Sequence, residues 1–337
     1  MNMKAGVYLG KEDIQARDWP EPKLEAGEVL VRVRFAGICG TDMLIHSGKH
    51  PRVVPPRVLG HEIFGVVAES SSPAWKSGAR VAVYPLISCG HCVPCREGDA
   101  YVCEKLGLVG IDSDGGMAEL VKVRSDQLIA VPDAVSDRQA ALIEPLAVVV
   151  HAVRTSGFRP GDLTLVTGGG PIGNLLAQVL RASGARSVVI AEVKDFRRDL
   201  AGRVGLSTIN PAQETVPDGL KRINGEHVVD RVFEASGAPA AIRDAIGACK
   251  VRGEITWVGL PKTPPEVDVL RLVFKEIETK AARVYRPVDY AAAIALLARR
   301  AVDVEPLITD TLQLDEVQRG FERMHDADQS MKILFAP

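Results

Sequence analysis

Four of the six cysteines in this chain lie within fifteen residues, in the segment SCGHCVPCREGDAYVC. The spacing C-x2-C-x2-C-x7-C can bring four thiolates to one tetrahedral Zn²⁺ ion. A redox site would need one exposed C-x-x-C pair, whereas these cysteines form a set of four. Because four protein ligands leave no position for a substrate, the pattern predicts a structural zinc site formed by Cys89, Cys92, Cys95 and Cys103.

A second group of metal-binding residue types is spread along the first half of the chain. Cys39 follows a predicted strand, His61 and Glu62 follow a proline-rich loop, and Glu144 lies in an apolar predicted helix. A thiolate, an imidazole and a carboxylate with one open position are the ligands of a catalytic zinc site. Each residue alone also fits an ordinary place in a protein interior or at a helix start. Their occurrence together indicates metal chemistry.

A glycine-rich turn lies between an apolar predicted strand, Leu163–Thr167, and a predicted helix at 171–183. It reads Gly168-x-Gly170-x-x-Gly173. The first glycine permits a tight turn, the second lets a pyrophosphate approach the backbone, and the third lets the helix and strand lie close together. The helix N-terminus then offers free N–H groups and a positive dipole end to the phosphates. The sequence therefore predicts a dinucleotide site.

An acidic residue, Glu192, follows the next predicted strand, nineteen positions after Gly173. A carboxylate here accepts hydrogen bonds from the adenosine ribose and repels a 2′-phosphate, which favours NAD over NADP. Arg197 and Arg198 lie close behind and favour the opposite interpretation, because guanidinium groups bind a 2′-phosphate. We predict NAD, with NADP as the alternative.

The elements that must position these residues change in character near residue 132. Before it, short apolar runs bounded by Gly, Pro and Ser predict β-structure, as in GEVLVRVRFAG, where valines alternate with other residues. After it, strands alternate with helices, among them one predicted at 138–155, which indicates a parallel sheet of βαβ units. A chain of 337 residues fits two domains, and the predicted fold class is α/β.

Composition and charge exclude several other classes of protein. With 41 Lys and Arg against 43 Asp and Glu the net charge is -2, and the basic residues are scattered, so we expect no nucleic-acid partner. No apolar run reaches the ~18 residues of a membrane span, and the N-terminus lacks the apolar stretch of a signal peptide. We expect a cytoplasmic protein without a membrane partner, in which cysteines stay reduced and bind metal.

On these motifs, the chain resembles the zinc-dependent medium-chain dehydrogenases, and among them the polyol (sorbitol) and threonine dehydrogenase branch. The resemblance covers essentially the whole chain. Its motifs are Cys39-Gly40-Thr41-Asp42, Gly60-His61-Glu62, the four cysteines, Glu144-Pro145-Leu146-Ala147 and Gly168 to Gly173. It implies a β-rich GroES-like catalytic domain, 1–149 with 285–337, and an inserted Rossmann domain, 150–284, that binds NAD.

The resemblance also implies the roles of single residues. Cys39 and His61 bind a catalytic zinc ion, so the chain holds two zinc ions in all. Glu62 and Glu144 are both candidates for the third ligand. Thr41 relays the proton of the substrate hydroxyl, while the carbinol hydride passes to the nicotinamide. The implied cofactor contacts are Gly168, Gly170, Pro171, Ile172, Gly173, Glu192, Arg197, Ser236, Val258 and Gly259.

One position departs from the family pattern. Many relatives carry a histidine three positions after the hydroxyl residue, where this chain has Leu44. His46 and His50 are nearby but out of register, and we predict that both are exposed loop residues. The outer part of the proton relay therefore differs from that of the relatives.

The substrate implied by the resemblance is a secondary alcohol in a polyol, sugar or sugar acid, with threonine or an NADP-dependent reaction as alternatives. A homodimer or homotetramer is implied as well. A zinc-free quinone or enone reductase shares the fold but typically lacks both the cysteine cluster and the Cys/His pair, which this chain has. An inactive nucleotide-binding protein is disfavoured by the intact set of ligands.

Overall fold

The computed structural model describes residues 1–337 and divides into two compact units. The first unit comprises Met1–Glu144, Arg286–Ala298 and Ile308–Pro337, and the second comprises Pro145–Tyr285 and Arg299–Leu307. The end of the chain thus belongs to the same unit as its beginning. The domain limits implied by the resemblance, 1–149 with 285–337 and 150–284, stay a prediction.

The strands and helices are numbered along the chain. The strands are β1 (Asn2–Gly10), β2 (Asp13–Pro20), β3 (Glu28–Gly37), β4 (Arg57–Val58), β5 (Glu62–Ser70), β6 (Arg80–Val83), β7 (Leu86–Ile87), β8 (Gly107–Leu108), β9 (Leu120–Arg124), β10 (Leu128–Ala130), β11 (Leu163–Thr167), β12 (Ser187–Ala191), β13 (Ser207–Ile209), β14 (Val229–Glu234), β15 (Cys249–Trp257), β16 (Glu278–Ala281), β17 (Ile308–Gln313) and β18 (Lys332–Ala336). The helices are α1 (Gly40–His46), α2 (Val93–Arg96), α3 (Asp137–Ala140), α4 (Ile143–Thr155), α5 (Pro171–Ala182), α6 (Asp195–Arg203), α7 (Val216–Asn224), α8 (Pro239–Ala248), α9 (Val269–Phe274), α10 (Pro287–Ala298) and α11 (Val317–Met324). No helix combines the length and hydrophobicity that crossing a bilayer requires.

The first unit is built from three sheets. Their strand orders are β2-β1-β4, β10-β6-β5-β3-β18-β17 with β9 also on β3, and β7-β8. The alternation predicted from the sequence is present in β3, where Val29, Val31 and Val33 are buried in the core. Strand β3 ends two residues before Cys39 and pairs antiparallel with both β5 and β18. Its register therefore decides which side chains meet beside Cys39.

The second unit contains one six-stranded sheet in the order β13-β12-β11-β14-β15-β16. All its strands are parallel. The chain moves outward from β11 through β12 to β13, then crosses to the other side of β11 to form β14, β15 and β16. In doubly wound sheets, ligands bind at the carboxyl ends of the strands where the order reverses, which here is beside β11. The predicted class, a β-rich GroES-like domain plus a parallel Rossmann sheet, is confirmed.

The prediction of a single helix at 138–155 is wrong in one respect, because the structure has two helices in this segment. Helix α3 ends at Ala140 and α4 begins at Ile143. A continuous helix would require the backbone N–H of residue 145 to bond to the carbonyl of Ala141, and Pro145 has no N–H group. The break places Glu144 in the first turn of α4.

Candidate active site

The four cysteines of the 89–103 segment form one cluster. Their sulfur atoms all lie within 4.8 Å of one another, and none of these cysteines forms a disulfide. The Sγ atom of Cys92 lies 3.4 Å from that of Cys95 and 3.7 Å from that of Cys103. Zinc–sulfur bonds of ~2.3 Å in a tetrahedron separate the sulfurs by about 3.8 Å. The cluster therefore has the donor atoms and the dimensions that a zinc ion requires.

The backbone around the cysteine cluster favours the thiolate form that binds metal. N–H groups of Cys89 and Lys105 each lie 3.3 Å from the Cys103 sulfur, as donors to it. Hydrogen bonds from the backbone of His91 and Cys92 lower the pKa of Cys89 to about 6. The His91 ring is exposed, and its Nδ1 lies 2.8 Å from the carbonyl oxygen of Cys89. This histidine is therefore not needed as a ligand.

Cys39 lies in the short connection between β3 and α1 and is the N-cap residue of that helix. Its backbone N–H donates to Oδ2 of Asp42, three residues on, at 2.9 Å. The hydroxyl oxygen of the half-buried Thr41 lies 3.9 Å from the Cys39 sulfur. The short helix thus presents a thiol and a hydroxyl side by side, and the buried Asp42 carboxylate fixes the turn that carries them.

His61 is buried beside this turn. Its Nδ1 atom lies 3.7 Å from Oδ1 of Asp42, and neither atom has a hydrogen-bond partner. Burial alone would lower the pKa of His61, but Asp42, Cys39 and Glu144 outweigh it and raise the pKa well above its ordinary value. Two carboxylates and a thiol near one imidazole provide donor atoms that a metal cation can use. A buried imidazole whose outer nitrogen faces a carboxylate is also the usual arrangement of a metal-bound histidine.

Glu62 forms a buried ion pair with Lys332, a residue that the sequence did not point to. The Lys332 ammonium group donates to both carboxylate oxygens of Glu62, at 2.7 and 2.9 Å, and to the carbonyl oxygen of Ile38 at 2.8 Å. Both side chains are buried. Burial alone would lower the pKa of Lys332, but Glu62 and Cys39 raise it. A Cβ atom on Gly37 would lie 2.0 Å from Glu62 Oε2, so this glycine makes room for the ion pair.

Glu144 is buried in the first turn of α4. It raises the pKa of His61 and that of Lys332, which places its charge close to both groups. Of the two predicted metal sites, only the cysteine cluster has all its ligand atoms within 4.8 Å of one another. Cys39, Asp42 and Glu144 nevertheless all lie close enough to His61 to raise its pKa.

The glycine-rich turn joins β11 to α5, as its sequence predicts. Gly168 has a φ of +96°, a conformation that favours glycine, and Gly170 is the N-cap of α5 with Pro171 next to it. A Cβ atom on Gly173 would lie 1.8 Å from the carbonyl oxygen of Gly168. The turn therefore tolerates no side chain at Gly173, and the first N–H groups of α5 remain available to phosphate oxygens.

Glu192 lies at the end of β12, facing the same turn. Its Oε2 atom accepts a hydrogen bond from the N–H of Gly169 at 2.7 Å, and its Oε1 atom accepts one from the N–H of Lys194 at 2.8 Å. The Arg197 guanidinium is 3.9 Å from Glu192 Oε2. Arg198 donates to the backbone carbonyl of Glu192 and pairs with Asp195. A carboxylate and a guanidinium thus lie side by side at this point.

Family models match both parts of the chain. Residues 25–133 match the alcohol dehydrogenase GroES-like domain, and residues 171–299 match the zinc-binding dehydrogenase domain. A curated relative, 2-dehydro-3-deoxy-L-galactonate 5-dehydrogenase of Pseudoalteromonas atlantica, is 36% identical over 98% of this chain and 98% of its own. The chain belongs to the zinc-dependent medium-chain dehydrogenases. It lies in their polyol and threonine dehydrogenase branch, and sorbitol dehydrogenase of Bacillus subtilis is 31% identical over 100% of this chain and 98% of its own.

Solved structures of the family agree with this membership. A zinc-binding dehydrogenase of Sinorhizobium meliloti 1021, bound to NADP, superposes with a TM-score of 0.93 at 30% identity, covering 100% of both chains. This chain is accordingly an oxidoreductase of small-molecule alcohols that uses zinc and a nicotinamide cofactor.

The two histidines that follow Thr41, His46 and His50, are less exposed than the sequence predicts. Leu44 is 42% exposed, but His46 is buried with its ring 4.9 Å from that of Phe321. The prediction that His46 is an exposed loop residue is therefore wrong, because α11 from the end of the chain covers it. His50 is half-buried, and its Nδ1 lies 3.4 Å from the N–H of Arg52.

Proposed function

We propose that this chain is an NAD-dependent dehydrogenase that oxidises a secondary alcohol of a polyol, sugar or sugar acid, with one catalytic and one structural zinc ion. The observation that carries the proposal is that Cys39, His61 and Asp42 lie together in the first unit, where the charge of Glu144 also raises the pKa of His61. The second unit supplies a glycine-rich turn with Glu192 beside it. The sugar-acid substrate of the 36% identical relative supports the choice of substrate class.

Cys39, His61 and Glu144 are the residues that would hold the catalytic zinc ion. We assign the third position to Glu144 because Lys332 already bonds to both oxygens of Glu62. When bound, zinc supplies a Lewis acid that lowers the pKa of the substrate hydroxyl. The Asp42 carboxylate faces Nδ1 of His61 at 3.7 Å, where its charge favours binding of a cation by the other ring nitrogen.

The half-buried Thr41 hydroxyl accepts the proton of the substrate alcohol and passes it on. Leu44 cannot continue this transfer, because its side chain has no acceptor, and the ring of His46 is buried against Phe321. We infer that Thr41 delivers the proton to water. The N-terminus of α5 and the Gly168 turn would hold the pyrophosphate of a nicotinamide cofactor, which would supply the hydride acceptor.

The assignment of the third ligand can be tested with two matched amide substitutions. Glu144→Gln should remove one zinc ion and lower kcat by about 10³-fold, because the amide is a poor zinc ligand. Glu62→Gln should instead cost about 3–5 kcal/mol of stability, because Lys332 is left buried without its partner. The double variant Glu62→Gln with Lys332→Met should regain most of that stability. Zinc analysis and melting curves measure both effects. Loss of one zinc ion in Glu62→Gln, with the zinc content of Glu144→Gln unchanged, would assign the third ligand to Glu62.

The preference for NAD follows from Glu192. A 2′-phosphate would lie beside this buried carboxylate, so we expect a higher kcat/KM with NAD than with NADP. Glu192→Ala should lower the ratio of kcat/KM with NAD to kcat/KM with NADP by about tenfold, equivalent to about 1.4 kcal/mol. Asp199→Ala, at an exposed position of α6, is the control and should leave the ratio unchanged. A wild-type preference for NADP that Glu192→Ala leaves unaltered would show that Arg197 and Arg198 decide the cofactor.

A substrate screen tests the proposed activity itself. NAD reduction would be followed over polyols, aldonates and 3-hydroxy amino acids, and the active compounds repeated with NADP. We expect turnover with a polyol or sugar acid. Turnover with threonine alone would favour the alternative substrate, and reduction of quinones without alcohol oxidation would contradict the proposal.

We also propose a homodimer formed through β16. This strand pairs only with β15, so its other edge is open, and all four of its residues are exposed. Neighbouring α9 exposes large apolar side chains, with Leu270 and Val273 both 67% exposed and Phe274 78% exposed. An open edge strand beside an exposed apolar helix is typical of a surface that a second copy covers.

Charge on this surface should therefore break the dimer. Phe274→Glu is expected to convert the protein to a monomer in light-scattering measurements, because the added carboxylate would be buried without a partner. Val288→Glu, at a position 56% exposed in the first unit, is the control and should leave the dimer intact. A Phe274→Glu variant of unchanged mass would contradict this interface.

A further inference from the structure

Glu234 is a buried carboxylic acid at the end of β14 to which neither the sequence motifs nor the proposed chemistry gives a role. It is 1% exposed. Its Oε1 atom accepts three hydrogen bonds, from the N–H of Ser236, the hydroxyl of Ser236 and the N–H of Gly237, each at 2.9 Å. A buried carboxyl group is costly unless it is hydrogen-bonded in this way. Glu234 therefore fixes the shape of the turn that follows its own strand.

The same residue also holds the turn after the next strand. The backbone carbonyl oxygen of Glu234 accepts hydrogen bonds from the N–H groups of Val258 and Gly259, both at 2.8 Å. A Cβ atom on Gly259 would lie 2.5 Å from Glu234 Oε2. The turn after β14 is thus bonded to the Glu234 side chain, and the turn after β15 is bonded to its backbone and packs against its side chain.

This arrangement extends to the glycine-rich turn. Strands β11 and β14 are paired with Thr167 opposite Glu234, and the N–H of Ala235 donates to the carbonyl oxygen of Thr167. A Cβ atom on Gly168 would lie 2.8 Å from the Cβ atom of Ser236. The turn after β14 therefore packs directly against the glycine-rich turn.

The order of the strands indicates which part of the cofactor these turns face. Glu192 follows β12 on one side of β11 and would meet the adenosine ribose, while the pyrophosphate would lie over the turn after β11. A dinucleotide bound across the carboxyl edge of the sheet would place its other half over the ends of β14 and β15, on the opposite side of β11.

We propose that the Glu234 side chain is a positioning group for the nicotinamide half of the cofactor, acting through its hydrogen bonds to Ser236 and Gly237 and its packing against Gly259. It does not touch the cofactor itself. The inference rests on the proposed binding of a nicotinamide dinucleotide to this sheet. It predicts that loss of Glu234 weakens the binding of a whole dinucleotide and leaves the binding of its adenosine half unchanged.

The test is a pair of titrations, with NADH and with AMP, on wild type and Glu234→Ala. The variant should raise the Kd for NADH by about tenfold, because several hydrogen bonds to one carboxylate are lost. Its Kd for AMP should stay at the wild-type value, and the KM for NAD should rise more than kcat falls. Glu192→Ala is the matched control and should weaken AMP binding.

Two results would overturn the inference. One is an unchanged Kd for NADH in Glu234→Ala, and the other is an equal weakening of NADH and AMP, which is what a general loosening of the sheet would produce. If Glu234→Ala does not fold, Glu234→Gln replaces it and should raise the Kd for NADH about threefold with AMP unaffected, because its amide oxygen still accepts the donors of the first turn. A wild-type protein that binds neither NADH nor NADPH would instead overturn the proposed function.

Discussion

Replacing Cys39 with serine should abolish alcohol oxidation, with kcat falling by about 10³-fold or more. Thiolate is among the ligands that zinc prefers, whereas a serine hydroxyl is not. Asp42 fixes the backbone of Cys39 from three residues away, and this contact does not involve the sulfur atom. The substitution therefore removes a metal ligand from a turn that keeps its shape.

NADH binding provides the control for this variant. The glycine-rich turn and Glu192 belong to the second unit, so Cys39→Ser should bind NADH with the affinity of wild type. Steady-state kinetics, a fluorescence titration with NADH and zinc analysis of the same preparation measure the three quantities. Full activity in Cys39→Ser would remove zinc from the mechanism, and a parallel loss of NADH binding would show that the effect is not confined to the metal site.

Replacing Cys95 with alanine should lower stability and zinc content before it affects the chemical step. The cysteine cluster is closed by four thiolates, and the segment that carries it has little regular structure besides the four-residue helix α2. A structural zinc ion contributes its binding energy to folding. We expect the melting temperature to fall by at least about 5 °C and one zinc ion to be lost per chain.

Two further substitutions separate the loss of zinc from the loss of a side chain. Cys249→Ala removes a thiol that is buried in the second unit and does not belong to the cluster, and should leave the zinc content unchanged. His91→Ala changes an exposed residue of the same loop and should have little effect on the melting temperature or the zinc content. A Cys95→Ala variant with normal melting behaviour and a selectively impaired chemical step would mean that the cluster takes part in catalysis.

The features that the sequence predicted well are those with local signals. The alternation of valines in β3 has a period of two, and the glycine-rich turn has its strand, helix and acidic residue within about 30 positions. The cysteine cluster depends on side chains that are close in the chain. For these features, neighbouring residues are sufficient to define the geometry.

The features that the sequence analysis missed depend on contacts between distant parts of the chain. Lys332 is 270 residues from Glu62 and reaches it because β18 pairs with β3 beside the ligands. His46 is buried by Phe321, which is also contributed by the end of the chain. Asp42 is different, because it stands in the Cys39-Gly40-Thr41-Asp42 motif and its position at the third residue of α1 signals contact with the N-cap backbone.

The most direct test of this account is metal analysis of the wild-type protein, combined with alcohol oxidation after stepwise removal of zinc by a chelator. We predict about two zinc ions per chain, loss of NAD reduction in proportion to the loss of the ion bound by Cys39, His61 and Glu144, and recovery when zinc is returned. An enzyme that oxidises its alcohol at full rate with only the cysteine cluster occupied, or with no zinc at all, would contradict the account.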